Sequence, residues 1–440
     1  MTEYPPSRTF LQDLFAEAVR AVSASILLPP ALAELSADLS VGGSAHRLSI
    51  LAVGKAAGAM MQTALAHLPA PQAGLVVTPA GGLPPGLVLP PHVEAITASH
   101  PTPDAQSQRA AERALEMASA LGPGDHLLVL LSGGGSALMA APAAGISLAD
   151  KQALTRALLR SGAPISAING VRKHLSRIKG GRLAQAASDA QITTLILSDI
   201  PGDDAALVAS GPTLPDPSTL TQARETLIRY GVVPTPAIAA ALNDPANETL
   251  KVMPSGARHQ ARIIGGAREA LAAAASLAES SGYQVQLLGD DLEGEARDLA
   301  RAHARLVLEI DPATPTALIS GGETTVTVVN SKGRGGRNLE YLLALALALE
   351  GAPERVRDIC AVACDTDGID GDSSAAGGMI FPDTLARARK LGLDPARHLA
   401  ENNALPLFEA LGDVIVTGPT LTNVNDFRVL LLGGDRTSCG

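Results

Sequence analysis

Tryptophan is absent from this 440-residue chain, and aromatic residues of all kinds make up only 2% of it. The interior must therefore be built from Ala, Leu, Val and Ile, which suits buried parallel strands and the faces of packed helices. Cysteine is also scarce. Cys360, Cys364 and Cys439 are an odd number without metal-ligand spacing, which excludes a disulfide framework and points to a reducing compartment. Two of them fall in the run Ile-Cys-Ala-Val-Ala-Cys and read as small core residues of a strand. Basic charge is in deficit: a net charge of −10 excludes an extended nucleic-acid backbone as partner. No segment approaches about 18 uninterrupted apolar residues, and the first ten residues lack the basic and apolar regions of a leader. A cytoplasmic protein without nucleic-acid or membrane partners is expected, as a monomer or homodimer.

What is present is an alternation of short apolar runs with longer Ala/Leu-rich stretches of helical period. The length exceeds one ordinary core, so two domains of roughly 200 residues each are expected. Strands are predicted at 48–53, 75–77, 93–97, 126–131 and 192–197. Helices are predicted between them, after a first amphipathic helix at 11–22. This is the pattern of βαβ units around a mainly parallel sheet. Residues 202–254, rich in Pro, Gly, Asp and Asn, read as the connection between a domain at 1–240 and a second at 255–440. The second series is again α/β, with an alternating run at 324–329 that suits an antiparallel strand. Two strands deliver the same Ser-Gly-Gly, ending at Gly134 and at Gly322, and ligands of open α/β sheets sit at such carboxyl ends.

The strongest motif is Ser132-Gly133-Gly134-Gly135-Ser136, between a buried strand and a helix. Its glycines let backbone N–H groups approach an anion, and the helix N-terminus favours negative charge, so these five residues are expected to bind phosphate. The loop lacks the Gly-Lys-Ser/Thr ending of a Walker A motif and the G-x-G-x-x-G spacing of dinucleotide folds. Lys55, in Val-Gly-Lys-Ala, also follows a strand and opens a helix. A helix N-terminus repels cations, so a lysine there points to an anionic partner. Arg172 and Lys173 begin the densest basic cluster of an acidic chain, suited to a carboxylate or phosphate. Asp199 and Asp203 follow a strand, where carboxylates beside a phosphate loop can hold Mg²⁺. The second half supplies Glu323, then Gly333, Arg334, Arg337 and Asn338 in a glycine-rich loop whose arginines can close on phosphates. Asp365 and Asp367 stand in Asp-Thr-Asp-Gly-Ile-Asp-Gly-Asp. Position twelve of that stretch is Ala376, not Glu, which disfavours a calcium loop.

Together, AlaValGlyLysAlaAla from Ala52, SerHisProThrProAsp from Ser99, the Ser132 loop, AsnGlyValArgLysHisLeuSer from Asn169, SerAspIleProGlyAspAsp from Ser198, GlyArgGlyGlyArgAsnLeuGlu from Gly333 and AspThrAspGlyIleAspGly from Asp365 resemble the glycerate 2-kinase family, in order along nearly the whole chain. The resemblance implies a larger Rossmann-like domain and a smaller α/β domain with the active site in a cleft between them. It also implies transfer of phosphate from ATP, with Mg²⁺ or a similar ion, to the 2-hydroxyl of D-glycerate. Lys55 and Arg334 lead its catalytic positions, joined in our reading by Arg337 and Asp199. The Ser132 loop, Gly333 and Asn338 would take phosphates, Arg172, Lys173 and Glu323 the substrate, and Asp199, Asp203, Asp365 and Asp367 the metal. Relatives also carry the label hydroxypyruvate reductase. That alternative, and a non-catalytic binding protein, are weaker because no dinucleotide fingerprint is present.

Overall fold

A computed structural model describes residues 7–41, 47–253, 259–310, 314–352 and 359–433. Cys439 and the first six residues lie outside the described residues. The chain divides into two compact units: Ala24–Ile264, and the chain from Gly265 together with the N-terminal helix Ser7–Ala21.

The first unit is built on six strands: β1 Leu48–Val53, β2 Ala73–Thr78, β3 Val93–Thr97, β4 His126–Leu131, β5 Gln191–Leu197 and β6 His259–Gly265. Their order is β3-β2-β1-β4-β5-β6, and every pair from β3 to β5 is parallel. Both β1 and β4 are wholly buried, as expected for strands covered on two faces. The chain adds β2 and β3 on one side of β1, then returns to add β4 onward on the other. The order therefore reverses between β1 and β4, the switch point at which a Rossmann-like sheet opens a crevice. Helices Ala57–His67 and Ala105–Ser119 supply crossovers, and Asp104 starts the latter with a capping box.

Three linear expectations change here. Residues 202–254 are no linker: helices Leu220–Arg229 and Pro236–Asn243 bury Leu220, Leu227 and Ile238 in one cluster with Leu154, Ile168 and Val171. The strand expected to open the second domain is β6, the last strand of the first sheet. A helix at Ala24–Val41, containing Pro29 and Pro30, was not expected; burial of Leu28, Leu32 and Leu35 outweighs the poor propensity of proline.

The second unit holds β7 Gln284–Gly289, β8 Glu293–Glu295, β9 Thr316–Ser320, β10 Glu323–Thr325, β11 Cys360–Asp365, β12 Gly377–Ile380, β13 Val414–Ile415 and β14 Asp426–Leu432. Six of them form a mixed sheet, β13-β12-β11-β14-β9-β7, in which only β7 and β9 run parallel. The alternating run at 324–329 yields only the short β10, paired parallel with β8 rather than antiparallel. Cys360 and Cys364 are buried and unbridged in β11. The N-terminal helix, which linear order assigns to domain 1–240, packs in this unit instead. Phe10 stacks on Tyr283 at 5.5 Å and Phe15 meets Phe427 at 5.9 Å, so two of the chain's few aromatics bind the helix to residues far away in sequence.

Among the described residues, Arg8–Leu39 has the length and hydropathy of a membrane span. It is split between two helices, and its Leu11, Leu14, Leu28 and Leu32 are fully buried in the fold.

Candidate active site

In the unit Ala24–Ile264 three of the expected segments leave the sheet at the switch point. Register pairs Val53 with Leu131 and Leu131 with Ile196, so Lys55, the 132–136 loop and Asp199 all leave the same edge of the sheet. The first two loops are bonded directly. The N–H of Lys55 donates to the Gly133 carbonyl at 2.9 Å, and the N–H of Ala56 donates to Ser132 Oγ at 3.0 Å. Gly54, at φ +132°, comes so close that a Cβ there would lie 2.1 Å from Ser132 Oγ.

Gly134 is left-handed at φ +82°. The space its missing Cβ leaves is bounded by the His100 ring at 3.1 Å and the Lys55 stem at 3.4 Å. The helix that follows, Gly135–Leu138, is a single turn, so its dipole adds little. Ser136 Oγ is bonded to Ser210 Oγ at 2.5 Å, and Lys179 Nζ donates to the Ser136 carbonyl at 2.8 Å. Ala209 and Ser210 hold positive φ of 51° and 64° in non-glycine residues, a strained segment pressed on Gly135.

His100, Ser210 and Lys179 were not among the expected site residues. His100 carried a readable signal, because it lies three residues beyond β3 at the same sheet edge. The strain at Ser210 had none.

Other expected residues of this unit are placed differently. Lys173 is buried and ion-paired to Asp216 at 3.2 Å, so it is no open substrate ligand. Arg172 is half-buried and donates to the neighbouring Asn169 side chain at 3.1 Å. Asp203 sits at φ +55° in the turn after Asp199.

The second unit is organised around Arg337. Its guanidinium donates to Asp426 and Asp365, each at 2.7 Å, and to Glu323 at 2.8 Å. Burial works against the charge, yet Asp426, Asp365 and Glu323 hold the group above the ordinary arginine range. Arg428 also pairs with Asp426 and donates to the Gly321 carbonyl. Arg337 is thus committed to protein carboxylates rather than open to the catalytic position expected of it. Asn338 is fully buried and donates to Asp426 at 2.8 Å, so it is not a nucleotide ligand either.

The glycines of this loop have a packing reason. A Cβ on Gly333 would lie 2.3 Å from the Asn402 carbonyl, and one on Gly336 would meet the Asp370 carboxylate at 2.4 Å. Asp370 accepts from the Asn338 and Leu339 N–H groups at 3.0 Å each, capping helix Arg337–Ala348 from a distant loop. Burial raises its carboxyl to about 6. Arg334 remains outward: its side chain is 56% exposed, with Glu409 at 3.3 Å. The second Ser-Gly-Gly likewise serves packing, since a Cβ on Gly322 would lie 2.1 Å from the Leu292 carbonyl oxygen.

Asp367 spends a carboxylate oxygen on the Ile369 N–H at 2.8 Å, and Asp365 is tied to Arg337. Among the described residues no three His, Cys, Asp or Glu side chains gather as a metal cage. Mg²⁺ arriving on nucleotide phosphates needs only one or two protein carboxylates, and Asp199, at the sheet edge beside the glycine loop, fits that demand.

Residues 10–243 match the family described as a domain of unknown function, DUF4147, and residues 316–426 match the MOFRL family. A protein of Agrobacterium vitis with the provisional name hydroxypyruvate reductase is 45% identical, over 88% of this chain and 87% of its own. The D-glycerate 2-kinase of Thermotoga maritima is 38% identical over 88% of this chain and 91% of its own. The crystal structure of a glycerate kinase from Thermotoga maritima superposes with a TM-score of 0.83 at 35% identity, covering 97% of this chain and 99% of that one. Shared sequence along almost the full length, with the same fold, means that this chain belongs to the glycerate 2-kinase family.

Proposed function

We propose that this protein transfers the γ-phosphoryl group of ATP to the 2-hydroxyl of D-glycerate, giving 2-phosphoglycerate and ADP, in the cytoplasm. The observation that carries the reading is Lys55 bonded through its backbone to the glycine loop at the switch point of a Rossmann-like sheet. Phosphoryl transfer asks chiefly for positioning and for stabilisation of charge on the transferred group. In this reading the 132–136 loop receives phosphate oxygens on its N–H groups, and Lys55 neutralises charge on the γ-phosphoryl group. Arg334, exposed on its loop, adds a second cation, and Arg172 holds the substrate carboxylate. Mg²⁺, when bound with the nucleotide, offsets phosphate charge, and Asp199 is the carboxylate assigned to it.

The reductase name of the Agrobacterium relative is the second reading. It requires a nicotinamide site, and the turn after β1 reads Gly-Lys-Ala-Ala-Gly, without the dinucleotide spacing. One preparation tests both: D-glycerate with ATP and Mg²⁺, followed by ADP release and phosphorus NMR of the product, and hydroxypyruvate with NADH. ADP and 2-phosphoglycerate are expected. Lys55→Ala and Arg334→Ala should each lower kcat/KM by about 100-fold or more, the scale on which a charge-stabilising group acts. NADH oxidation without ADP would overturn the proposal.

A further inference from the structure

The first unit contains more buried positive charge than its fold uses. Lys151, on helix Leu148–Arg160, is 7% exposed, and its ammonium has no hydrogen-bond partner among the described residues. It lies on the inward stripe of that helix with Leu154 and Leu158, which pack on Ile168 and Val171 of helix Ile165–His174. Arg172 follows Val171 directly. A guanidinium offers five N–H donors, and the bond from Arg172 to Asn169 uses a single one of them. Lys173 is satisfied by Asp216, and Arg182 by the carbonyls of Lys173 and Glu248, so neither relieves Lys151. Burial first, then Arg172 and Arg182, push the Lys151 ammonium down to about 7.

An unpaired buried ammonium, on a helix packed against the one that carries an under-used guanidinium, is costly, and a bound anion would repay that cost with charge-assisted hydrogen bonds. Two contacts tie the segments around the pair to the proposed active site within the same unit. Gln152, the next residue of the helix, donates to the Pro103 carbonyl at 2.7 Å, in the loop that carries His100. Lys179, whose ammonium is depressed by burial and by Arg172, Lys151 and Lys173, is bonded to the Ser136 carbonyl of the glycine loop.

We infer that Lys151 and Arg172 together form the pocket for the carboxylate of the hydroxy-acid substrate, with Lys151 as a specificity-determining residue. The inference rests on the kinase reading for its choice of ligand, but it can be tested apart from it. The pocket takes a small monoanion, and inorganic phosphate is the competing source of the same chemistry.

The full-length protein and its Lys151→Met variant would be titrated calorimetrically with D-glycerate, with glycerol, which lacks the carboxylate, and with inorganic phosphate. The same proteins would be assayed for ADP release. D-Glycerate should bind the parent protein, and Lys151→Met should weaken it at least tenfold. In turnover the KM for glycerate should rise at least tenfold while that for ATP stays within twofold, and Lys151→Arg should recover part of the loss. Glycerol should bind neither protein.

If glycerate binding depends on Lys151 but no ADP is formed, the pocket stands and the kinase reading falls. If ADP is formed and Lys151→Met leaves the glycerate KM unchanged, the pocket falls alone. Lys151-dependent binding of phosphate without binding of glycerate also overturns it. Should Lys151→Met fail to fold, Arg172→Met reads the same pocket by the same separation of KM values.

Discussion

The backbone N–H of Lys55 lies 2.9 Å from the carbonyl oxygen of Gly133, so the loops that end β1 and β4 are joined where the strand order reverses. The Lys55 backbone is therefore held by the sheet rather than by a loose loop, which is the precision that the proposed charge stabilisation would require.

The two Ser-Gly-Gly repeats should respond differently to substitution. At Gly134 the missing Cβ leaves space beside His100 and Lys55; at Gly322 it leaves space for the Leu292 backbone. Gly134→Ala should cost about 1–2 kcal/mol for its left-handed backbone and lower kcat/KM at least tenfold by displacing both side chains. Gly322→Ala should lower stability more, because Leu292 backbone cannot move aside, while soluble folded enzyme keeps its KM for ATP. Urea denaturation alongside steady-state kinetics distinguishes them.

Arg337 should behave as a structural residue and Arg334 as a functional one. Removing Arg337 leaves the buried carboxylates of Asp365 and Asp426 short of a counter-charge. Breaking such a buried pair typically costs about 3–5 kcal/mol. Arg337→Ala should therefore unfold at markedly lower urea, and Arg337→Lys should not restore the three-way pairing. Arg334→Ala, on an exposed side chain, should leave the unfolding midpoint nearly unchanged and reduce turnover.

Asp370 should give an unusual pH dependence. Burial raises its carboxyl from 3.8 to about 6, so between those values the folded chain binds a proton that the unfolded chain does not. Its contribution thus favours the folded state at low pH and is lost as pH rises through about 6, the reverse of a salt-bridged aspartate. Across that window the effect amounts to roughly 3 kcal/mol. Asp370→Asn should remove this component, so the stability difference between parent and variant should change with the stated sign from pH 4 to pH 7. A difference independent of pH would contradict the assignment.

Much of the first unit was legible because its signals are local. Apolar runs such as Leu48–Val53 and His126–Leu131 announce strands buried on both faces, and glycines directly after them announce a loop that a ligand or another backbone must approach. The second unit was less legible. Its glycine run at 333–336 looked like a phosphate loop, yet Gly333 and Gly336 accommodate Asn402 and Asp370. The aspartate-rich segment looked like a metal site, yet Asp370 caps a helix and Asp365 neutralises an arginine.

Sequence by itself determined the α/β class, the aromatic-poor core and the strand ends at which the proposed site lies, because periodicity and turn residues act over a few positions. Only the tertiary structure decided which charges remain available. Arg337 meets Asp426 across 89 positions and Lys173 meets Asp216 across 43, whereas Lys151 meets no acceptor among the described residues. Whether a side chain is neutralised depends on what long-range packing brings within about 3 Å of it, and linear spacing carries no record of that distance.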